Sequence, residues 1–326
     1  MKFFIFLILL CFAGFEGKAV CWQTLNPGDE IALVAPSGKP SAAAITKIKS
    51  LIAERGYIPV VYYDESASGD FGRSDSLENR RGFFIDALRS PAKVIWSLRG
   101  GNGASGIFKN PRFFDEFRTM PPKLLIGFSD FTAVHLWANS MAWPSLHGIV
   151  ASFCRENDHA VNAQTNIEPY FDILSGLTFE ISYNLICENE PARTISIEDS
   201  SIVGGNISLI QRAMGTPRQP NTNGKILFVE DVLEPGRKIN EALVQLQEAL
   251  LFDEARAVIW GKISGDAADV GTAKRLLNEE LTQRGIPLFS SDSFGHDVLN
   301  LPLPFQTLAR IEIGGRLIVR TNNTTS

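Results

Sequence analysis

Cysteine and histidine are scarce in this chain, and their placement argues against several kinds of site. The 326 residues contain only four cysteines, which form neither a Cys-x-x-Cys pair nor a cluster with histidine. That distribution argues against a structural zinc site. Cys154 and Cys187 are able to pair in an oxidising compartment, but we favour two free buried thiols. The four histidines leave a short set of candidates for a general base.

The charge pattern contains no basic block. Lys and Arg number 31 against 36 Asp and Glu, and the formal net charge is −5. A nucleic acid is therefore not expected as a partner. Hydrophobic residues make up 44% of the chain and charged residues 21%, a globular balance that allows one large domain or two smaller ones.

The first 19 residues follow the pattern of an export signal. Lys2 gives a positive start, residues 3–15 form an apolar run, and Gly17 and Ala19 are small residues suited to cleavage. The run is too short for a comfortable membrane span. We therefore predict a signal peptide over residues 1–19, a periplasmic location, and no stable membrane insertion after cleavage. The alternative is an uncleaved anchor, or a cytoplasmic chain with an unprocessed apolar start.

Residues 20–160 alternate short apolar runs with amphipathic runs, which predicts an α/β domain with a parallel sheet of the flavodoxin or Rossmann type. Such alternation requires crossover connections between strands. The predicted strands span residues 31–35, 57–63, 93–98 and 124–128. The predicted helices span residues 41–55, 75–88 and 131–141, the second opened by a capping box at Asp75 and Glu78.

The second half of the chain has a different pattern. Residues 161–191 are mixed and are interpreted as a connecting region, and a C-terminal domain is expected over residues 192–326. Its predicted strands span residues 225–229 and 257–260, and its predicted helix spans residues 237–251. Alternating runs around Gly314-Gly315 predict a hairpin. This domain is therefore expected to be mixed α/β with antiparallel pairing.

Ser129 stands at the end of the apolar run LLIGF, directly before an amphipathic run. At the carboxyl end of a parallel strand, its hydroxyl would rise out of the sheet as in a nucleophile elbow. The G-x-S-x-G pattern is only half met, because Phe131 occupies the position of the last glycine. The alternative is that Ser129 caps the helix that follows.

The segment Ser97-Leu98-Arg99-Gly100-Gly101-Asn102-Gly103 also follows an apolar strand. One interpretation is an oxyanion hole made by the Gly101 amide together with that of Asp130. A dinucleotide-binding loop would need the G-x-G-x-x-G spacing after the first strand, which this segment lacks. A plain tight turn is the remaining alternative.

A serine nucleophile needs a base and an orienting acid. Among the histidines, His296 and His147 are in loop-like settings that could border a cleft. His135 lies on the helix after Ser129 and is interpreted as a packing or surface residue, and His159 lies in a charged stretch. Glu230 ends the apolar run KILFVE, where a carboxylate is costly to leave unpaired. The alternative is that Glu230 or Asp231 caps the next segment.

These pieces together resemble the serine LD-carboxypeptidases, a family that includes the microcin-immunity peptidases. The motifs that carry the resemblance are VAPSG (34–38), SLRGGNG (97–103), IGFSD (126–130), GGNISL (204–209), GTP (215–217), ILFVED (226–231) and GH (295–296) followed by LPLP. Their order and spacing span nearly the whole chain after residue 19. The family commonly has tyrosine at the position of Asn102 and glycine at the position of Gln306.

The resemblance implies two domains and a homodimer. The N-terminal domain would carry the nucleophile, and a C-terminal domain with swivelling-barrel character would carry the acid and the histidine. The residues that the resemblance implies for catalysis are Ser129, Glu230 and His296, with the amides of Gly101 and Asp130 as the oxyanion hole. No metal or cofactor is required.

The implied activity is removal of the terminal D-alanine from murein tetrapeptides in peptidoglycan recycling. Substrate-binding candidates are Arg99, the nearest cation in the motifs, and also Asn102 and Asn206. Arg99 is equally able to brace its own loop by hydrogen bonds. A histidine base predicts that activity falls on acidification through about pH 6.5.

Three alternatives stay open at this point. The same scaffold would serve to cleave peptidyl or aminoacyl nucleotides, with Trp143 or Phe153 as an aromatic platform for the nucleobase of the substrate. Two α/β lobes behind a signal sequence also describe an exported solute-binding protein, which would bind without turnover. An esterase of the α/β-hydrolase type is disfavoured by the missing elbow glycine.

Overall fold

The computed structural model describes residues 22–151, 163–296 and 299–321. The predicted signal peptide, Phe153, Cys154 and His159 lie outside these residues. In the part of the chain that is described, no helix has both the length and the apolar character needed to cross a membrane.

The described residues alternate strands and helices over most of their length. The strands are β1 (Glu30–Val34), β2 (Ile58–Tyr62), β3 (Val94–Ser97), β4 (Leu124–Gly127), β5 (Ser145–His147), β6 (Glu180–Asn184), β7 (Ile186–Cys187), β8 (Ile197–Ser200), β9 (Ile202–Asn206), β10 (Ile226–Val232), β11 (Ala257–Ser264), β12 (Leu288–Gly295), β13 (Leu303–Phe305), β14 (Ala309–Glu312) and β15 (Arg316–Arg320). The α-helices are α1 (Ala42–Glu54), α2 (Leu77–Arg89), α3 (Ala104–Ile107), α4 (Thr132–Ser140), α5 (Ala163–Leu174), α6 (Glu190–Thr194), α7 (Ile207–Ala213), α8 (Gly236–Glu248) and α9 (Ala267–Gln283).

The strands form three sheets. The first has the order β13-β5-β4-β3-β1-β2, in which β1 to β5 are parallel and β13 is antiparallel to β5. The second has the order β7-β12-β11-β10-β9, with β9 to β12 parallel. The third is antiparallel, with the order β6-β15-β14-β8. The predicted α/β class, with a parallel N-terminal sheet and a mixed second part, is confirmed.

Strand alternation places the core on both faces of each parallel sheet. In β1, Ile31 and Leu33 pack in one buried cluster while Ala32 and Val34 pack in the other. Successive side chains of a strand point to opposite faces, and a sheet covered on both faces therefore requires an uninterrupted apolar run. By the same rule, β10, which contains Glu230, runs through the interior of the second sheet, and every residue of β10 before Val232 is buried.

Most of the predicted elements of the first sheet are present within one or two residues. Ser41 begins α1 as predicted, since its hydroxyl accepts the amide of Ala44. The predicted cap of the next helix is wrong by one residue. Ser76 Oγ accepts the Asn79 amide at 3.2 Å, because the Asp75 carboxylate is already engaged by the Ser76 amide at 2.5 Å.

The interpreted connecting region, residues 161–191, contains α5, β6, β7 and the start of α6. β6 is an edge strand of the third sheet, and β7 is an edge strand of the second. Only Tyr183 is buried in β6, so this edge strand shows no apolar run in the sequence. The hairpin predicted at Gly314-Gly315 is confirmed as the antiparallel pair β14–β15.

Candidate active site

Ser129 lies two residues after the end of β4, in a backbone conformation that residues other than glycine rarely adopt. Its φ is 62°, in the left-handed region. A 3₁₀ turn, Ser129–Phe131, leads into α4, and neither the turn nor the helix has a side-chain cap. Ser129 therefore does not act as a helix cap, and its strained turn has the form of a nucleophile elbow.

The glycine loop after β3 packs directly against Ser129. A Cβ added to Gly100 would lie 3.3 Å from Ser129 Oγ, and one added to Gly101 would lie 3.0 Å from the Gly38 nitrogen. The Gly38 amide donates to the Gly100 carbonyl at 2.9 Å. In the described part of the chain, no acceptor is bonded to the Gly101 amide. This amide is thus able to donate to a charged oxygen formed beside Ser129.

Glu230 and His296 meet at one edge of the second sheet. Glu230 lies in β10, and His296 directly follows β12, two strands away in the same parallel array. His296 Nδ1 lies 2.5 Å from Glu230 Oε2. The strand predicted over residues 225–229 is too short: β10 continues to Val232, so Glu230 lies within it and is 0% exposed. Imidazole Nδ1–H donation to this carboxylate leaves Nε2 for another partner.

The charge of Glu230 is maintained despite its burial. Burial alone would raise the pKa of the Glu230 carboxyl, but the charge and contact of His296, with a contribution from His147, lower that pKa to about 2. A carboxylate that stays ionised is able to hold an imidazole in one orientation and to stabilise its cation.

Phe128 connects the two halves of the site. The rings of Phe128 and His296 are 4.6 Å apart between centroids, and Phe128 immediately precedes Ser129. The structure therefore brings all three predicted catalytic residues to the same junction, with Ser129 on the first sheet and Glu230 and His296 on the second.

His147 and His135 lie behind this junction rather than in a cleft. The prediction of His147 in a loop is wrong, because it is the last residue of β5 and is fully buried. Its Nε2 lies 3.9 Å from Glu230 Oε1, too far for a hydrogen bond. His135 is also buried, as one interpretation expected, and its Nε2 contacts the Gly127 carbonyl at 2.8 Å. Burial lowers the pKa of His135 to about 3.

Asn206 joins the second sheet to the helix that follows Ser129. The backbone amide of Asn206 donates to Thr132 Oγ1 at 3.0 Å. Its side chain donates to Asp231 Oδ1 at 2.7 Å and accepts the Leu209 amide at 3.2 Å. The Asn206 side chain is thus engaged in positioning α7 and Asp231, and Thr132 is a residue of the junction that sequence reasoning missed.

The two other candidate substrate residues brace loops. Arg99 Nη1 donates to the Lys39 carbonyl at 2.5 Å. Asn102 accepts from Arg73 Nε at 2.9 Å and donates to the Phe71 carbonyl at 3.1 Å. Over residues 22–151, 163–296 and 299–321, no group of three or more His, Cys, Asp or Glu side chains is arranged to hold a metal ion.

Two domain families match this chain, one on each parallel sheet. The LD-carboxypeptidase N-terminal domain matches residues 31–148, and the LD-carboxypeptidase C-terminal domain matches residues 199–311. The chain belongs to the LD-carboxypeptidase family. It is therefore a peptidase by family, and each of the two matched domains holds part of the junction described above.

Named relatives are similar over most of their length. A Rickettsia conorii protein that carries a carboxypeptidase name is 30% identical over 242 residues, which cover 73% of this chain and 74% of the relative. The murein tetrapeptide carboxypeptidase of Pseudomonas aeruginosa is 24% identical over 317 residues, covering 90% of this chain and 97% of the relative.

Solved structures share the fold of this LD-carboxypeptidase family member. The muramoyltetrapeptide carboxypeptidase of Oxalobacter formigenes has a TM-score of 0.73 and 21% identity, and the match covers 90% of this chain and 99% of that one. The microcin C7 self-immunity protein bound to aspartyl sulfamoyl adenosine has a TM-score of 0.74 and 21% identity, with coverage of 92% and 98%.

Proposed function

We propose that this protein is a serine LD-carboxypeptidase that removes the terminal D-alanine from murein tetrapeptides through an acyl-enzyme. The observation that carries the proposal is the 2.5 Å contact between His296 Nδ1 and the fully buried Glu230. The ring of the same histidine packs on Phe128, which immediately precedes the strained turn at Ser129. A serine, a histidine and an ionised acid in one place are the parts of a catalytic triad.

In the acylation step, His296 Nε2 takes the proton of Ser129 as Oγ attacks the carbonyl carbon of the bond before D-alanine. The carbonyl oxygen becomes an oxyanion, which the amides of Gly101 and Asp130 receive. Glu230 stabilises the imidazolium. The C–N bond then breaks, the imidazolium protonates the departing amine, and D-alanine leaves with the acyl group still on Ser129.

In the deacylation step, neutral His296 removes a proton from water, and the resulting hydroxide attacks the ester carbon. The bond to Oγ breaks, and the imidazolium returns the proton to Ser129. These steps balance without a metal or a redox cofactor, and each is assigned to a residue named above.

The test compares the wild type with Ser129→Ala on a murein tetrapeptide. We expect the wild type to release one alanine per peptide, detected by mass spectrometry, and Ser129→Ala to lose at least about 10³-fold in rate. Ser50→Ala, at an exposed position of α1, is a control of the same chemistry that should retain activity. Full activity of a folded Ser129→Ala would contradict the serine mechanism.

A second candidate function is cleavage of peptidyl or aminoacyl nucleotide conjugates. It is supported by the similarity of the fold to the microcin C7 self-immunity protein that binds aspartyl sulfamoyl adenosine. Trp143 does not support it, because this side chain is only 4% exposed and packs on Trp137. Turnover of an aminoacyl sulfamoyl or phosphoramidate nucleotide, without release of D-alanine from tetrapeptide, would favour this candidate. Binding of either compound without turnover would favour a solute-binding protein.

We also propose export with cleavage after Ala19, and a homodimer. Both rest on the sequence and on the family resemblance. Mass determination of the mature N-terminus tests the first, and light scattering of the purified protein tests the second. A mature protein that begins at Met1, or a monomer at all concentrations, would contradict them.

A further inference from the structure

A cavity of about 300 Å³ lies beside the glycine loop, at the boundary between the two domains. Its walls include Arg73, Arg80 and Asn102 of the N-terminal domain, Asp130, and Arg212 of α7 in the C-terminal domain. Asp130 directly follows Ser129, and Asn102 directly follows Gly101. The cavity thus adjoins both residues whose amides are proposed to form the oxyanion hole.

Arg80 is an almost fully buried cation in the wall of this cavity. It is 3% exposed, and its Nε donates to the Asp75 carbonyl at 3.1 Å. Its Nη1 donates to the carbonyls of Pro36 and Gly103 at 2.5 and 3.0 Å. Among the described residues, Nη2 donates to no acceptor. Nη2 therefore keeps two N–H groups for an acceptor that enters the cavity.

Arg73 brings a second positive charge close to the first. A Cβ placed on Gly103 would lie 2.6 Å from Arg73 Nε and 3.0 Å from Arg80 Nη1, so both guanidinium groups converge on this glycine. Burial, and then the charge of Arg73, lower the pKa of Arg80. Like charges held together near a cavity destabilise the protein unless an anion compensates them.

The carboxylates nearby compensate only part of this charge. Asp130 is the one acidic side chain in the cavity wall, and one of its oxygens accepts the Ala104 amide at 2.7 Å. The Asp75 carboxylate is engaged by Ser76 and Asn79. Arg212 forms neither an ion pair nor a hydrogen bond with any residue that the structure describes. Three guanidinium groups therefore face one carboxylate.

We propose that this three-arginine cavity binds an oxyanion, and that during turnover the oxyanion is a carboxylate of the peptide substrate. Planar guanidinium groups bind carboxylate and phosphate by paired, charge-assisted hydrogen bonds. The inference rests on the proposed carboxypeptidase function for the identity of the anion. It assigns binding of the substrate carboxylate to Arg73, Arg80 and Arg212. The sequence analysis had named Arg99 as the candidate cation, but the Arg99 guanidinium donates to the Lys39 carbonyl.

The first experiment measures the anion site without any turnover. Inorganic phosphate is titrated into the full chain by calorimetry at constant ionic strength. We expect saturable binding by the wild type and at least about tenfold weaker binding by Arg212→Gln and by Arg73→Gln. Arg275→Gln on α9 removes the same charge from a side chain that is 57% exposed and far from the cavity wall, and it should bind like the wild type. No saturable binding by the wild type, or equal weakening by Arg275→Gln, would overturn the anion site.

The second experiment identifies the source of the anion. Phosphate should inhibit tetrapeptide hydrolysis competitively, and Arg212→Gln should raise KM about tenfold with kcat changed less than about twofold. A tetrapeptide ending in an amide should lose this dependence on Arg212 if the terminal carboxylate is the group bound. Phosphate binding without competition would overturn the assignment to substrate. Absence of all tetrapeptide turnover by the wild type would contradict the proposed function, while the phosphate titration would still decide the anion site.

Discussion

At the scale of single residues, Glu230 shows how burial and charge are reconciled in this site. A buried carboxyl is ordinarily neutralised, yet the pKa of Glu230 lies near 2 because the opposing effect of His296 is larger than that of burial. Glu230 is therefore ionised throughout the pH range in which an assay is practical. An acid limb of the activity profile between pH 5 and 8 then belongs to another group, and the proposed base is His296.

Replacement of Glu230 by glutamine should both slow the reaction and move its acid limb. We expect kcat to fall by about 10³-fold or more, because the imidazolium loses its partner. We expect the apparent pKa of kcat/KM to shift to lower pH, because the positive form of His296 is no longer stabilised. The measurement is a pH profile of both proteins from pH 5 to 8. Glu248→Gln at the exposed end of α8 is the control, and an unchanged acid limb in Glu230→Gln would contradict the assignment.

His135 makes a separate prediction about stability. Burial lowers the pKa of His135 to about 3 in the folded protein, whereas an unfolded histidine titrates near pH 6.5. Between these values the unfolded chain binds the extra proton, so the free energy of unfolding falls as the pH falls. The loss is roughly 2 kcal/mol between pH 6.5 and 5. It is absent at pH 8, where both states are neutral.

Urea denaturation of wild type and His135→Gln at pH 8 and pH 5 tests this prediction. Glutamine retains a donor for the Gly127 carbonyl but does not titrate, so the drop in unfolding free energy at pH 5 should be smaller in the variant. Equal drops in both proteins would show that His135 is not the source. Glu230 contributes little between these two pH values, because its carboxyl titrates at about pH 4.3 in the unfolded chain and at about 2 in the folded protein, both below pH 5.

At the scale of elements, the sequence was informative wherever a strand is buried on both faces. The runs IALV, VIWS and LLIG gave β1, β3 and β4 within two residues, since an uninterrupted apolar run is what a covered parallel strand requires. Edge strands such as β6 were missed, because one face is exposed and their composition resembles that of a loop. The cap at Ser76 was missed because Asp75 is equally suited to capping, and only the hydrogen bonds distinguish them.

The position of Ser129 near a strand end was predicted from the apolar run before it, and the residues packed behind it were not. Ser129 follows a continuous apolar run, which places it near the end of a strand, whereas His296 was expected only in a loop-like setting and in fact directly follows β12. His147 was a candidate base with a wrong loop setting, and Thr132 was not a candidate, because both positions depend on what lies opposite them in space. His147 is the last residue of β5, which pairs with β13 from more than 150 residues away in the chain. Such long-range pairing leaves no local signal in the sequence.

Gln306, between β13 and β14, allows a prediction about one connection. Its φ is 60°, in the left-handed region that favours glycine. The family commonly has glycine at this position. The side chain offers little in return, because its amide reaches the Asn139 carbonyl only at 3.4 Å. We expect Gln306→Gly to raise the free energy of unfolding by up to about 1 kcal/mol, measured by urea denaturation.

Gln306→Ala serves as the matched control. Alanine removes the same side-chain contact but keeps the unfavourable φ, so it should not gain stability. If alanine and glycine were equally stable, backbone strain at this connection would be ruled out as a source of instability.

At the scale of the whole molecule, the proposed active site is a property of the junction between two domains. Ser129 belongs to the first sheet, and Glu230 and His296 belong to the second. The second half of the chain also returns to the first sheet, since β13 pairs with β5. The relative position of the two domains therefore determines whether the nucleophile and its base meet.

Thr132 fixes that position at one point. Its Oγ1 accepts the Asn206 amide at 3.0 Å, and a Cβ on Gly205 would lie 2.6 Å from the same oxygen. Thr132 is fully buried and begins α4, three residues after Ser129. A side chain at position 205 would crowd this contact, and residue 205 is glycine. The close approach of β9 to α4 is thus encoded on both sides of the junction.

Thr132→Val should therefore affect both stability and catalysis. Valine has nearly the same shape but leaves the buried Asn206 amide without its acceptor, which costs about 1–3 kcal/mol of unfolding free energy. If the junction aligns Ser129 with His296, kcat should fall at least about tenfold while KM changes little, because alignment matters most in the transition state. Thr132→Ser keeps the oxygen and should retain near-normal kcat, and Thr272→Val on α9 controls for loss of a hydroxyl elsewhere. A Thr132→Val protein that is less stable but equally fast would show that this contact holds the domains together without aligning the catalytic groups.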